Sequence, residues 1–449
     1  MLRRRSVTLT TRHVCHLRKA SRKQSNGCGT TTTLTESTPN IEKVVIIGTG
    51  FIGLPLALRL AKSGKRVVGV DIDENLVAAI NDQSLNLDEA ELQAMLESNE
   101  VDENLVGRTS PESGDAFVIS VPTPMSEPQK SPDLSAVEAA VESILPHLSQ
   151  DNIVNVESTI PPLTCKEVIA PKLTNAGFEP GTDVHLAHSP ERILPGNVFE
   201  ELVQNDRVIG GYTDGCADAA AQIYEPFLEG DVYRTDLISA ELCKLMENTY
   251  RDVNIALSNE FALIGDALDL DMTDVIDLAN NHPRVDILKP GIGVGGHCLP
   301  IDPWFLNEVD PEHTNLITTA RRINDMMPDA TARRIRHALS GLDSPRILVL
   351  GAAYKPNTRD PRESPAQDIV EELRLDGFDI VHRDRLVEDM TYDDLKPLVD
   401  ETNPDAVVQL VAHDKTNEEL ASLAGELSEG GVSVLRPGIG NPLQPRTNE

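Results

Sequence analysis

Gly48, Gly50 and Gly53 stand between a run of apolar residues and a helix-like segment, and no other part of the chain restricts its fold as tightly. The preceding KVVII (43–47) has the unbroken apolar character of a parallel strand buried on both faces. LPLALRLAKSG follows as a helix, and RVVGV (66–70) as a second strand ending just before Asp71. Strand, glycine turn, helix, strand and an acid about 20 residues on make the dinucleotide fingerprint G-x-G-x-x-G. Gly48 allows the tight turn. Gly50, followed by Phe51 and Ile52, lets backbone approach a pyrophosphate, and Gly53 lets helix and strand pack closely. Free N–H groups at the helix start attract the phosphates. Asp71 can accept from both ribose hydroxyls and repels a 2′-phosphate, so NAD is expected rather than NADP.

From about 41 to 235, strand-like segments (KVVII, RVVGV, AFVISV, IVNVEST, VHLAHSP, RVIGG) alternate with helical ones, the pattern of a doubly wound α/β domain. Ligands of such sheets lie beyond the C-terminal strand ends. VPTP (121–124) with Thr123, ESTIPP (157–162) with Glu157 and Thr159, and HSPER (188–192) with Glu191 all fall there. Ser239 to Ile264 contains neither Pro nor Gly and reads as one long helix, with Lys244 and Asn248 on one face. A second α/β unit starts at Arg346 and lacks the glycine fingerprint; its Lys355, Arg359 and Arg362 suit phosphate oxygens. The expected architecture is therefore α/β, with two Rossmann-like doubly wound domains joined by a long central helix. The divisions are a basic tail at 1–40, an NAD-binding domain at 41–235, a central helical dimerisation region at 236–340, and a second nucleotide-binding α/β domain at 341–449.

Cys298 lies in GVGGHCLPIDPWF (293–305), on tight irregular backbone where a thiol can be presented to a ligand. The chain's six cysteines have no regular spacing, so neither a disulfide framework nor a zinc site is expected, and no metal is called for. The formal charge is −32, with only 13 lysines among 40 basic residues. Such a surface repels nucleic acid and stays hydrated in concentrated salt, which points to a halophilic source. The first 40 residues carry eight basic groups and one acid and lack an apolar core stretch, so an ordinary secretory signal is not expected. No apolar run suits a membrane span, and a cytoplasmic protein is expected.

The order of fingerprint, VPTP, EST, SPER, K-x-x-x-N helix, GGHC and YKPNTRDPRES resembles the UDP-glucose/GDP-mannose dehydrogenase family over roughly residues 41–440. The stretches HSPERILPGNVFEELVQNDRVIGG, MENTYRDVNIALSNE and HPRVDILKPGIGVGGHCLPIDPWF are similar to members acting on UDP-N-acetyl-D-mannosamine. UDP-glucose dehydrogenases usually differ at Ser189 and His297, while UDP-N-acetylglucosamine 6-dehydrogenases share GGHC. The resemblance implies a four-electron oxidation of a C6 alcohol to a carboxylate with two NAD, in a homodimer or higher homo-oligomer. It implies Cys298 as nucleophile, Lys244 as oxyanion stabiliser, and Asn248 as a hydrogen-bond donor to the same oxygen. Asp302 and Thr159 would activate water, with Glu191 as a further acid–base candidate. Arg284 would reach the sugar nucleotide across the dimer interface, Lys355 would bind its UDP end, and Arg362 would close over the cofactor. Glu157 stands where many UDP-glucose dehydrogenases carry lysine, and no role follows for it.

Overall fold

A computed structural model describes residues 41–437 except 86, 88–89, 127–129, 194–197 and 269. The expected basic tail, residues 1–40, lies outside the described residues. The strands of the first unit are β1 (Lys43–Ile47), β2 (Arg66–Val70), β3 (Leu105–Arg108), β4 (Ala116–Ile119), the short hairpin β5 (Met125–Ser126) and β6 (Ser131–Pro132), β7 (Ile153–Val156), β8 (His185–His188), β9 (Arg207–Gly211) and β10 (Val232–Asp236). Apart from the hairpin they form one sheet in the order β10-β9-β8-β7-β4-β1-β2-β3. Val44 and Ile46 of β1 pack into the core on one face of the sheet, and Val45 and Ile47 into that on the other. This two-sided burial is why the strand reads as an unbroken apolar run.

The order changes direction between β1 and β4, and the glycine turn sits at that switch point. All strand-like segments read from the sequence form strands, and β3 and β10 join them at the two edges. One feature differs from a purely parallel sheet: β9 runs antiparallel to β8. The chain leaves β8 through HSPER and comes back at the same end after one short helix (Val198–Gln204), without the crossover that a parallel join requires. The short run RVIGG does not by itself reveal which way its strand pairs with β8, so this was not readable in advance.

The long helix spans Leu237–Leu268 and packs against a second, Asn315–Ala338. Their shared face is polar as well as apolar. Arg321 donates to Asp252 at 2.5 Å, Asn324 to Asp252 at 2.8 Å, and Asn259 to Asn324 at 2.9 Å, all buried. Asn259 also accepts from the Gly291 backbone N–H at 2.8 Å, and Ser258 donates to the Leu288 carbonyl. The long helix thereby holds the start of the loop that carries Cys298. The second unit is a four-stranded parallel sheet of β11 (Arg346–Leu350), β12 (Asp379–Arg383), β13 (Ala406–Gln409) and β14 (Ser433–Leu435), in the order β12-β11-β13-β14. The α/β architecture with two Rossmann-like sheets and a long central helix is as expected.

Candidate active site

At the end of β1 the chain turns on Gly48, whose φ is +92° and whose N–H donates to Val70 at 2.8 Å. A Cβ there would lie 2.3 Å from the Ser120 carbonyl, and one on Gly53 would lie 1.9 Å from the Gly48 carbonyl. Gly50 faces open space, with nothing within 4 Å of the position a Cβ would take, and Phe51 beside it is exposed. Ile52 is half-buried and caps the helix Gly53–Lys62. Asp71 is fixed at the mouth of this turn: one oxygen accepts from Thr49 N–H at 2.9 Å and Thr49 Oγ1 at 3.2 Å, the other from Asp73 N–H at 3.1 Å. The Thr123 hydroxyl donates to the Thr159 carbonyl at 2.7 Å and ties the loop after β4 to the loop after β7. An open turn, a helix N-terminus and a held carboxylate at the next strand end fit a dinucleotide with a free 2′-hydroxyl.

The second cluster lies where the long helix meets the GGHC loop. The Cys298 carbonyl accepts from Ile301 N–H at 3.1 Å and Asp302 N–H at 2.9 Å, which starts the helix Asp302–Val309 immediately after the thiol. Asn248 donates to Asp302 at 2.6 Å. Asp302 is 2% exposed, and burial pushes its carboxyl up to about 6, against the pull of Lys244 and the Asn248 bond. Cys298 is exposed, yet desolvation raises its thiol; the Lys244 ammonium opposes this and Asp302 adds to it. Lys244 has no hydrogen-bond or ion-pair partner among the described residues. Its charge nevertheless acts on Cys298, Asp302, Glu157 and His188. A lone ammonium among a thiol and carboxylates is placed to stabilise negative charge that develops on a ligand oxygen. Asn248 thus spends one of its two N–H donors on Asp302 and keeps the other; among the described residues no bond joins Thr159 to Asp302.

Beneath Lys244 is a buried network that sequence reading missed. Arg207 donates to Glu191 at 2.6 Å and to Glu157 at 3.4 Å, and lies 4.1 Å over the Tyr224 ring. Tyr224 donates to Glu157 at 2.6 Å; Asn155 donates to Tyr224 at 2.7 Å and accepts from Ser189 at 3.0 Å. Burial raises the Glu157 carboxyl, with Arg207 opposing. Burial works against the Arg207 charge as well, but the neighbouring carboxylates outweigh it and hold the guanidinium above its usual range. His188 is driven down to about 3 by burial and by Lys244, so it is neutral. Both oxygens of Glu191 are engaged, one by Arg207 and one by the Arg192 N–H at 2.7 Å. The one sequence signal was polar Asn155 and Arg207 inside strands that are otherwise apolar.

The second unit closes against the cysteine loop. A Cβ on Gly295 would lie 2.2 Å from the Glu363 carbonyl, and one on Gly296 2.9 Å from the Tyr354 ring. His297 lies 3.7 Å from Asp360. Arg362 is paired with Asp360 through two bonds of 2.8 Å. Lys355 is half-buried, and its ammonium is lowered by burial and then by Arg251. Arg284 is exposed, and its side chain makes no bond to the cluster around Cys298. Among the described residues no group of His, Cys, Asp and Glu could hold a metal, and no helix is long and apolar enough to cross a membrane.

Family models match along most of the chain. These are the NAD binding domain (42–228), central domain (238–326) and UDP binding domain (348–434) of the UDP-glucose/GDP-mannose dehydrogenase family. The UDP-N-acetyl-D-mannosamine dehydrogenase of Methanocaldococcus jannaschii is 42% identical over 396 residues, covering 86% of this chain and 90% of the relative. The NDP-N-acetyl-D-galactosaminuronic acid dehydrogenase of Ralstonia nicotianae is 42% identical over 337 residues, covering 74% and 79%. Among solved structures, the UDP-D-ManNAc dehydrogenase of Pyrococcus horikoshii superimposes with a TM-score of 0.81 at 37% identity, over 89% of this chain and all of the other. The UDP-N-acetyl-mannosamine dehydrogenase of Staphylococcus aureus gives 0.79 at 38% identity, over 90% of this chain and 100% of the other.

Proposed function

The chain belongs to the UDP-glucose/GDP-mannose dehydrogenase family, and from that premise we propose that it oxidises the C6 alcohol of UDP-N-acetyl-D-mannosamine to the carboxylate, with NAD as cofactor. The observation that carries this reading is the meeting of Lys244, Asn248, Cys298 and Asp302 where the long helix meets the cysteine loop. The fingerprint turn, Asp71 and Thr123 would hold NAD, which when bound accepts a hydride in each of two oxidations. The residues of the chain supply the rest. Lys244 stabilises the alkoxide from which the first hydride leaves. Cys298 adds its sulfur to the resulting aldehyde, giving a thiohemiacetal that keeps one hydrogen on carbon for the second oxidation. The product is a thioester. Asp302, oriented by Asn248, takes a proton from the water that cleaves it, and the thiol is released. Glu191, held by Arg207, with Thr159 shapes the sugar pocket, and Lys355 with Arg284 binds the UDP end. Arg362 closes the cofactor side.

The reading extends to assembly and setting. Met246, Tyr250, Leu257, Ile264 and Leu268 form an exposed apolar stripe along the side of the long helix opposite Lys244. A second copy of the chain covering it gives a homodimer. A cytoplasmic location and supply of uronate to a surface polysaccharide follow from the nucleotide-sugar chemistry, and a halophilic host from the acidic surface. The test is a panel of UDP-sugars at molar KCl, followed by NADH absorbance. Two NADH per UDP-N-acetyl-D-mannosamine are expected, with far slower turnover of UDP-glucose and UDP-N-acetylglucosamine. Preference for either of the latter overturns the substrate assignment. One NADH per sugar overturns the four-electron course.

A further inference from the structure

Glu157 follows β7 directly, and its side chain is 0% exposed. Tyr224 and Arg207 both donate to its Oε1, at 2.6 and 3.4 Å. Its Oε2 is buried and has no hydrogen-bond partner among the described residues. Asp384 in the second unit shows how a buried carboxylate is treated when it joins parts of a fold. One of its oxygens accepts from the Ala352 and Ala353 N–H groups at 2.6 and 3.2 Å and pairs with His413 Nε2 at 3.0 Å. The other accepts from the Leu386 and Val387 N–H groups at 2.7 and 3.1 Å. Burial works against that charge, but the His413 bond and the backbone donors outweigh it and hold the carboxyl well below its usual range. At Glu157 burial wins: the carboxyl is pushed up to about 7, against Arg207, Tyr224 and Lys244, with Glu191 adding to the rise. An unsatisfied buried acceptor costs stability, so a network that served only to join strands would engage both oxygens.

Lys244 is the complement of that oxygen: a half-buried donor without an acceptor, beside a buried acceptor without a donor. The other groups around Glu157 are Arg207 on β9, Glu191 after β8 and Tyr224 on the helix Asp214–Tyr224. Around Lys244, Cys298 and Asp302 lie toward the cysteine loop, and His188 at the end of β8 is neutral. Arg207 and Lys244 bring two positive charges to this buried layer, and Glu157 and Glu191 two negative ones. The four balance only while Glu157 is ionised. We propose that Glu157 is a positioning residue for Lys244: its open oxygen is the counter-charge that keeps the ammonium charged and in place while the C6 oxygen is still a neutral alcohol. This rests on the reading of Lys244 as the group that stabilises the alkoxide. A cation shielded from water keeps its proton only beside an opposite charge. A developing alkoxide then meets an ammonium already in position, and none of the stabilisation is lost to ordering it.

The test is the pH profile of kcat from about pH 6 to about pH 10.5, with UDP-N-acetyl-D-mannosamine and NAD saturating, on wild type, Glu157→Gln, Glu157→Asp and Tyr224→Phe. Above about pH 8 Glu157 is ionised, so the alkaline fall of kcat reads the loss of the ammonium. Glu157→Gln keeps the shape and removes the charge. It is expected to move that fall to lower pH by about 1 unit, while the KM for NAD changes less than about twofold. Glu157→Asp keeps the charge and restores the position of the fall. Tyr224→Phe takes a bond from Glu157 but no charge; it lowers the melting temperature and leaves the fall where it is. Where a stranded Arg207 prevents Glu157→Gln from folding, Glu157→Gln/Arg207→Gln removes the ion pair as a unit, and the fall moves in the same direction. A fall that the glutamine variants do not move overturns the proposal, and so does one moved as far by Tyr224→Phe or Glu157→Asp. A wild type that does not oxidise the sugar nucleotide, or shows no alkaline fall, overturns the reading of Lys244 itself. A wild-type fall that stays in place in the glutamine variants overturns the role of Glu157 alone.

Discussion

Asp302 owes its chemistry to its burial. Its carboxyl is raised from 3.8 to about 6, first by desolvation, with Lys244 and Asn248 pulling the other way. The folded protein therefore holds this proton more tightly than the unfolded chain. Its contribution to stability is fully present below about pH 4 and is lost as pH rises toward 6. Asp302→Asn removes that loss. We expect the variant to be more stable than wild type at pH 7.5 by up to about 3 kcal/mol, and no more stable at pH 4, in urea unfolding at the two pH values. The same substitution removes the base proposed for thioester hydrolysis, so uronate release is expected to fall and its acid limb near pH 6 to disappear. An Asp302→Asn protein with wild-type turnover would remove Asp302 from the mechanism. Cys298→Ser addresses the other partner. Serine at neutral pH captures the aldehyde far more slowly, and uronate formation, followed by product chromatography, is expected to drop by several orders of magnitude.

The two long helices are held by a buried charge that needs its partner. Asp252 is fully buried against Arg321, and burial raises its carboxyl despite that pairing. Arg321→Leu strands the carboxylate and is expected to cost about 3–5 kcal/mol in chemical denaturation, with Arg321→Leu/Asp252→Leu recovering much of it. Because Asn259 joins the same network to Gly291, the single variant should also lose activity through the cysteine loop. At this scale much was legible from residues 43–70 and 239–264, since unbroken apolar strands and a Pro- and Gly-free periodic helix are local signals. The antiparallel entry of β9 was not, because five residues of RVIGG do not reveal the direction of their pairing. Nor was the Glu157, Glu191, Arg207 and Tyr224 network, whose members lie 16 to 67 residues apart and meet only once the sheet forms. The Cys298 loop stood out by its glycines. What lay hidden was that Asn248 donates to Asp302, and that Arg362 pairs with Asp360.

Over the whole molecule the formal charge of −32 makes the compact state repel itself at low ionic strength. We expect the melting temperature to rise as KCl is increased from about 0.1 to 2 M, across the range where the screening length shrinks from about 10 Å to a few ångströms. A melting temperature independent of KCl would argue against adaptation to salt. Self-repulsion also bears on how the parts of the molecule stay together. The cysteine loop begins on the long helix at Gly291 and ends pressed into the second unit, with Gly295 on the Glu363 carbonyl and Gly296 on the Tyr354 ring. Neither glycine can bear a side chain without displacing its neighbour, so the fit leaves no slack. The Cys298 thiol thus answers to both halves of the protein at once, and the fold behaves as an interlock: under the proposed mechanism, a dinucleotide held in one half meets a correctly placed thiol only while the other half is seated.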